Sequence, residues 1–163
     1  MDINLVRNDR LLIDQDILNG INNNAILFNV DEKILNYLNT NYEEGNELPL
    51  IPYGVERHAY EIISNSDRVG IIILSLEEDP QYGMLWEVII LIFERFQGQG
   101  FSKTAINELI RLNSEISLRA TIHQHNEAKQ GLEKVLSDLG FIVIQPDGEY
   151  ITLLLKSRPA KKN

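Results

Sequence analysis

The longest apolar run in the chain extends from Val88 to Phe93 and is rich in β-branched residues. A strand with one face in water would alternate apolar and polar side chains, so the unbroken run predicts a buried strand in the middle of a sheet. A helical spacing follows between residues 101 and 112, which predicts a helix packed by one face. Its apolar positions are Phe101, Ala105, Ile106, Leu109, Ile110 and Leu112, and its opposite face carries Lys103, Asn107 and Arg111.

Shorter patterns predict the remaining elements. Asp14 offers a helix start, but Asn19-Gly20 and the asparagines at 22–24 are expected to interrupt any long helix there. The three strands that lie between residues 58 and 93 should be antiparallel neighbours, whereas strand 117–122 returns through a helix and should lie parallel to the central strand. The other predicted helices are 31–42 and 127–139, and the other predicted strands are 3–6 with a flank at 11–13, then 58–64, 69–76, 141–144 and 150–155.

These elements predict a single α/β (α+β) domain over residues 1–155, with a mixed, mostly antiparallel sheet of about six or seven strands flanked by helices. A chain of 163 residues is long enough for one core of ordinary size. Residues 156–163 form a short basic tail that we expect to be frayed.

Composition narrows the function classes. The 44% hydrophobic and 24% charged content is that of a soluble globular protein, and no apolar run approaches the length of a membrane span. A net charge of −9 disfavours nucleic acid and membranes as partners, because like charges repel, and is better suited to an amine. The chain has no cysteine and no pattern typical of a signal peptide, so we expect it to be cytoplasmic.

Two glycines, Gly98 and Gly100, separate the central strand from its helix. They allow the backbone to turn sharply and leave consecutive N–H groups pointing in one direction. Such a group of donors at a helix N-terminus attracts anions, phosphate above all. A plain tight turn that starts a helix is the alternative, and short glycine patterns alone do not decide between the two.

The segment Arg95-Phe-Gln-Gly-Gln-Gly100, between a buried strand and an amphipathic helix, resembles the pyrophosphate motif of the GNAT superfamily of N-acetyltransferases. The resemblance extends from about Ala59 to Leu155. It includes Val69-Gly70 at a strand start and Leu139-Gly140-Phe141 after the last helix. It implies acetyl-CoA as a co-substrate and transfer of its acetyl group to a primary amine of a small molecule, peptide or protein, by direct attack within a ternary complex.

The same resemblance implies a set of cofactor contacts. The strands that carry Ile90 and His123 should splay apart, so that the backbone of Ile90 and Ile92 can pair with the pantetheine arm. Asn126 falls where many members contact the cofactor, and assembly as a homodimer is left open. The implied pyrophosphate contacts are Arg95, Gln97, Gly98, Gln99, Gly100, Phe101 and Ser102.

Glu87 is the candidate general base, because burial on an apolar central strand would raise the pKa of its carboxyl group. The alternative is an ordinary solvent-facing glutamate. Counting back from the glycine motif places the usual carboxylate of the family on Trp86, and a β-bulge could restore the register. The tyrosine that many members use to protonate the leaving thiolate is replaced by Leu136. A catalytically degenerate domain that binds acyl-CoA or a protein partner is therefore the alternative function.

His123 and His125 alternate along the end of the fifth strand, so their side chains should share a face. Without a third ligand nearby in the sequence we expect no metal site. If the fold is that of the resemblance, both histidines border the acetyl site, and His125 is a second candidate base or acid.

Overall fold

A seven-stranded sheet forms the centre of the computed structural model, which describes residues 2–24, 30–124, 126, 129–146 and 148–158. Within that part of the chain the strands are β1 (Asn4–Arg7), β2 (Arg57–Ser64), β3 (Asp67–Asp79), β4 (Gly83–Ile92), β5 (Leu118–His123), β6 (Ile142–Gln145) and β7 (Tyr150–Leu155). The helices are α1 (Gln15–Asn23), α2 (Glu32–Glu43), α3 (Phe101–Leu112) and α4 (Lys129–Asp138), with a 3₁₀ turn at Glu94–Phe96.

The strand order is β1-β2-β3-β4-β5-β7-β6, and every neighbouring pair is antiparallel except β4 and β5. This confirms the predicted mixed sheet, the three consecutive antiparallel strands and the closing hairpin of β6 and β7. The connection of β2 to β3 turns at Asn65 and Ser66, whose φ angles of 50° and 69° lie in the left-handed region typical of a tight hairpin.

Helices cover both faces of the sheet. Helices α3 and α4 pack on one face, where Val88 of β4 and Leu118 of β5 join the larger core cluster. Helix α1 packs on the other face, where Leu91 of β4 belongs to a second cluster. The central strand is therefore covered on both sides, as its unbroken apolar run predicted.

Helix α1 corrects one expectation. It runs through Asn19-Gly20, which the sequence suggested would interrupt it. A Cβ atom added to Gly20 would lie 2.2 Å from a methyl carbon of Leu91, so the glycine lets the helix approach β4 closely. Asp14 starts the helix as predicted, because its side chain accepts a hydrogen bond from the backbone N–H of Ile17.

Three surface features also differ from expectation. Helix α2 has the predicted extent but buries none of its residues fully, and Tyr37 is 59% exposed. Leu112, assigned to the apolar face of α3, is 47% exposed in the last turn. At the start of the tail, the backbone N–H groups of Ser157 and Arg158 donate to Ser117 Oγ and the Ser114 carbonyl, so these two residues are held against the domain.

No helix in the described residues is both long enough and apolar enough to cross a membrane.

Candidate active site

The parallel strands β4 and β5 pair over two residues, in the middle of β4 and at the start of β5. Trp86 lies opposite Leu118 and Glu87 opposite Arg119, and the described residues show no pairing between the two strands beyond that point. Both strands nevertheless continue, β4 to Ile92 and β5 to His123. The result is a gap in the middle of the sheet that opens directly after Glu87.

Backbone groups of β4 line this gap. The N–H of Trp86 donates to the Ser117 carbonyl on the β5 side at 2.9 Å, while the N–H of Phe93 donates to Val69 on the β3 side at 2.9 Å. Backbone groups alternate between the two edges of a strand, so those of Val88 and Ile90 face β5. The pairing of Glu87 with Arg119 engages the Val88 N–H, which leaves the Val88 carbonyl and both groups of Ile90 directed into the gap. Ile92 faces the same way, but its carbonyl already accepts a hydrogen bond from Gln97 Nε2 at 3.1 Å.

The glycine turn lies at the far end of the gap. Gly98 and Gly100 have φ angles of 77° and 81°, which glycine adopts without strain. Gly100 is the N-cap of α3, and no side chain in the described part of the chain caps the helix there. An added Cβ on either glycine would meet no atom within 4 Å, so the space around the turn is open. These features fit an anion at the first turn of α3.

Several side chains among the predicted pyrophosphate contacts have partners within the protein. The Arg95 guanidinium binds both carboxylate oxygens of Asp16 in α1, at 2.8 and 3.2 Å, and lies over the ring of Phe96. The Phe101 side chain is buried in the core and meets Phe96 edge-on, which leaves its backbone as the part available to a ligand. Gln99 Nε2 lies 3.5 Å from the Arg95 carbonyl, within the turn.

Glu87 lies where the two strands separate, and its side chain is only 15% exposed. The solvent-facing alternative is therefore wrong. Its Oε2 accepts a hydrogen bond from Arg119 Nε at 2.5 Å, and Thr121 donates a second side-chain bond. Burial raises the pKa of the Glu87 carboxyl above its ordinary value, although the bonds from Thr121 and Arg119 oppose that shift.

The suggested bulge in β4 is absent. The β3–β4 register is continuous from Gly70 opposite Ile92 to Asp79 opposite Gly83. Trp86 therefore stays on the opposite face of β4 from Glu87, where its ring stacks on His58 with centroids 4.8 Å apart. Of these two neighbouring positions, only Glu87 brings a carboxylate to the end of the paired segment.

Sequence reasoning missed the groups that surround Glu87. Arg119 also binds Asp79 Oδ2 at 3.3 Å, and Arg119 and Thr121 line an open cleft of about 470 Å³ beside the gap. The other lining residues are Asp79, Gln81, Tyr82, Ile144, Gln145, Glu149, Tyr150 and Thr152. One signal in the sequence could have identified these groups. Arg119 stands between the apolar residues Leu118 and Ala120 on the predicted strand 117–122, where a charged side chain needs a partner.

The remaining candidates have structural partners or lie outside the described residues. His123 is buried, with Nε2 3.4 Å from Glu149 Oε1 and its ring edge-on to Tyr150. Asn126 donates its N–H to the His123 carbonyl, and His125 lies outside the described residues. Leu136 is 3% exposed and belongs to the larger core cluster, so this position serves packing. Among the described residues no group of three or more His, Asp or Glu side chains could hold a metal ion.

Solved structures identify the architecture. The chain is similar to the N-acetyltransferase PseH of Campylobacter jejuni, solved in complex with acetyl coenzyme A, at 15% identity over 94% of this chain and 98% of that one, with a TM-score of 0.56. It is also similar to the dodecameric spermidine N-acetyltransferase of Vibrio cholerae, at 16% identity over 95% and 94% of the two chains, with a TM-score of 0.61. The chain has the GNAT fold.

A third structure with the same GNAT fold is an acetyltransferase of Thermus thermophilus, at 14% identity over 96% of this chain and 97% of that one, with a TM-score of 0.57. At such identities the likeness shows the fold alone. No protein-family model and no curated protein sequence matches the chain.

Proposed function

We propose that the protein transfers an acetyl group from acetyl-CoA to a primary amine of a small molecule, peptide or protein. The observation that carries this proposal is the separation of β4 from β5 directly after Glu87, with the glycine turn at the far end of the gap. This arrangement offers a cleft for an extended arm, an anion site at one end and a carboxylate at the other. The neighbours that are N-acetyltransferases support the same activity.

Binding would use backbone groups first. The pantetheine arm would pair with the Val88 carbonyl, with both backbone groups of Ile90 and with the Ile92 N–H, as a peptide pairs with a strand edge. The N–H groups at Gly98, Gly100 and Ser102 would hold the pyrophosphate, and the α3 dipole favours that negative charge. Acetyl-CoA would supply the activated acetyl thioester.

Catalysis would depend on the relative orientation of the amine and the thioester and on one carboxylate, that of Glu87. Glu87 would take the proton of the ammonium group, directly or through water, so that the free amine nitrogen can attack the thioester carbon. The nitrogen–carbon bond forms and the nitrogen gives up its second proton to solvent. The carbon–sulfur bond breaks, and the leaving thiolate takes a proton from solvent. Solvent has this role here because Leu136, at the position of the family's usual tyrosine, is a core residue.

Thiol release from acetyl-CoA in the presence of a panel of amines and peptides tests the proposal. We expect amine-dependent release, with turnover falling about 10²-fold or more in Glu87→Gln, the range that a general base contributes. Glu61→Gln is the matched control, because Glu61 is also a half-buried strand carboxylate paired with an arginine, Arg68. Equal losses in both variants would remove Glu87 from the mechanism.

The degenerate acyl-CoA-binding domain remains the second candidate, and the burial of Leu136 in the core is the observation that favours it. It predicts a rise in melting temperature with acetyl-CoA, because a ligand bound only by the native state stabilises that state. It predicts no thiol release with any amine. Turnover with even one amine would exclude it.

A further inference from the structure

Arg119 connects three elements at the point where β4 and β5 separate. Its Nε donates to Glu87 Oε2 at 2.5 Å, and its Nη1 donates to Asp79 Oδ2 at 3.3 Å. All three side chains are largely shielded from water, with exposed fractions of 21% for Arg119, 15% for Glu87 and 18% for Asp79. Charge pairs this far removed from solvent are held more strongly than those on an open surface.

Asp79 is itself fixed by the backbone. Its Oδ1 accepts hydrogen bonds from the N–H groups of Gln81 and Tyr82, at 2.8 and 3.0 Å, in the turn that joins β3 to β4. One oxygen of the carboxylate thus binds the turn while the other binds the guanidinium. The turn therefore determines where Arg119 can lie, and Arg119 in turn limits where the Glu87 carboxylate can lie.

We propose that Arg119 is a positioning residue, which Asp79 anchors to the β3–β4 turn and which holds the Glu87 carboxylate at the mouth of the gap. This inference rests on the proposed acetyltransferase function. A base contributes to catalysis only when it is held within hydrogen-bonding reach of the proton that it removes, and a charge-assisted bond to a restrained arginine provides that restraint.

The charges around Glu87 give the arginine a second effect. Arg119 on β5 favours the carboxylate form, whereas burial and Glu77 on β3 disfavour it, and Asp79 acts through Arg119. His123 lies further along the same face of β5. Loss of the Arg119 cation would leave only the hydrogen bond from Thr121 to oppose burial and Glu77, so the pKa of Glu87 would rise further. The acid limb of the pH profile of kcat/KM would then move to higher pH.

The test compares Arg119→Met and Arg119→Lys with Arg68→Met. Arg68 is a matched control, because it is 20% exposed and also binds two carboxylates, Asp14 and Glu61, away from the gap. We expect Arg119→Met to move the acid limb upward by roughly 1–3 pH units, the effect of one close opposite charge. Arg119→Lys keeps the charge and should recover most of the profile, whereas Arg68→Met should leave the limb in place.

NMR titration of the Glu87 carboxyl carbon provides a measurement that does not depend on activity. A pKa that is higher in Arg119→Met than in the wild-type protein supports the positioning role even if no amine is acetylated, in which case only the proposed function fails. An unchanged carboxyl pKa together with an unchanged pH profile would overturn the inference. If Arg119→Met does not fold, the same two measurements on Arg119→Gln decide, because glutamine also removes the cation but keeps a polar side chain.

Discussion

At the scale of single residues, two glycines lie against Leu91 of β4 from different directions. A Cβ atom on Gly20 of α1 would lie 2.2 Å from a Leu91 methyl carbon, and one on Gly70 of β3 would lie 2.2 Å from the Leu91 carbonyl oxygen. A side-chain methyl group can rotate away, whereas a backbone carbonyl paired in a sheet cannot. The two positions therefore differ in how well they tolerate a methyl group.

We predict that Gly70→Ala destabilises the protein more than Gly20→Ala. The added methyl at Gly70 should cost about 1–3 kcal/mol, as overpacking of a core commonly does. At Gly20 the clash is partly offset by about 1 kcal/mol of improved helix propensity. Urea unfolding of both variants measures the two free energies. A Gly20→Ala variant that is the less stable of the two would contradict this account of the contacts.

Residues whose partner is close in the sequence were predictable, and residues whose partner lies on another element were not. Asp14 was predictable as a helix start because its partner is the backbone N–H of Ile17, three residues away. Gly20 was not, because its reason is contact with Leu91 on another element. Arg119 was missed for the same cause, since its partner Glu87 lies 32 positions away in the sequence.

At the scale of elements, a salt bridge joins the first turn of α1 to the turn that precedes α3. Asp16 holds the Arg95 guanidinium through two hydrogen bonds, and both side chains are partly exposed. Arg95 belongs to the motif whose resemblance implies a pyrophosphate contact. If Arg95 makes that contact, it has to exchange one anion for another when acetyl-CoA binds.

We predict that Asp16→Asn tightens acetyl-CoA binding by up to about fivefold, because an exposed salt bridge is worth about 0–1 kcal/mol. Glu94→Gln removes an equal charge from the same region without a described bond to Arg95, and it should change the affinity less. Calorimetric titration measures both. A weaker affinity in Asp16→Asn would mean that the salt bridge shapes the site and does not compete with the ligand.

The elements themselves were largely predictable. Helix α3 and the strand pair of the closing hairpin have their predicted bounds to within one residue, because their patterns continue over several turns or alternations. Strand β3 extends to Asp79, well beyond the predicted end at residue 76, and that extension places Asp79 beside Arg119. The last three residues of β3 are acidic and give no apolar pattern in the sequence. They are part of the strand because they pair with β4.

At the scale of the whole molecule, the central claim is that the gap between β4 and β5 receives acetyl-CoA. The gap exists because the parallel pair ends at Glu87 and Arg119 while both strands continue. Neighbouring residues of β4 differ in their backbone partners. Ile89 and Leu91 pair with β3 opposite Ile73 and Ile71, whereas the N–H groups of Ile90 and Ile92 point into the gap beyond the last β4–β5 pair.

This alternation provides an internal control for one measurement, amide hydrogen exchange followed by NMR with and without saturating acetyl-CoA. We predict that exchange slows at Ile90 and Ile92 when the arm pairs with them. The amides of Ile89 and Leu91, which are already bonded to β3, should change much less. Unaltered exchange at Ile90 and Ile92 under conditions where acetyl-CoA is shown to bind would contradict the account, because the ligand would then occupy another part of the molecule.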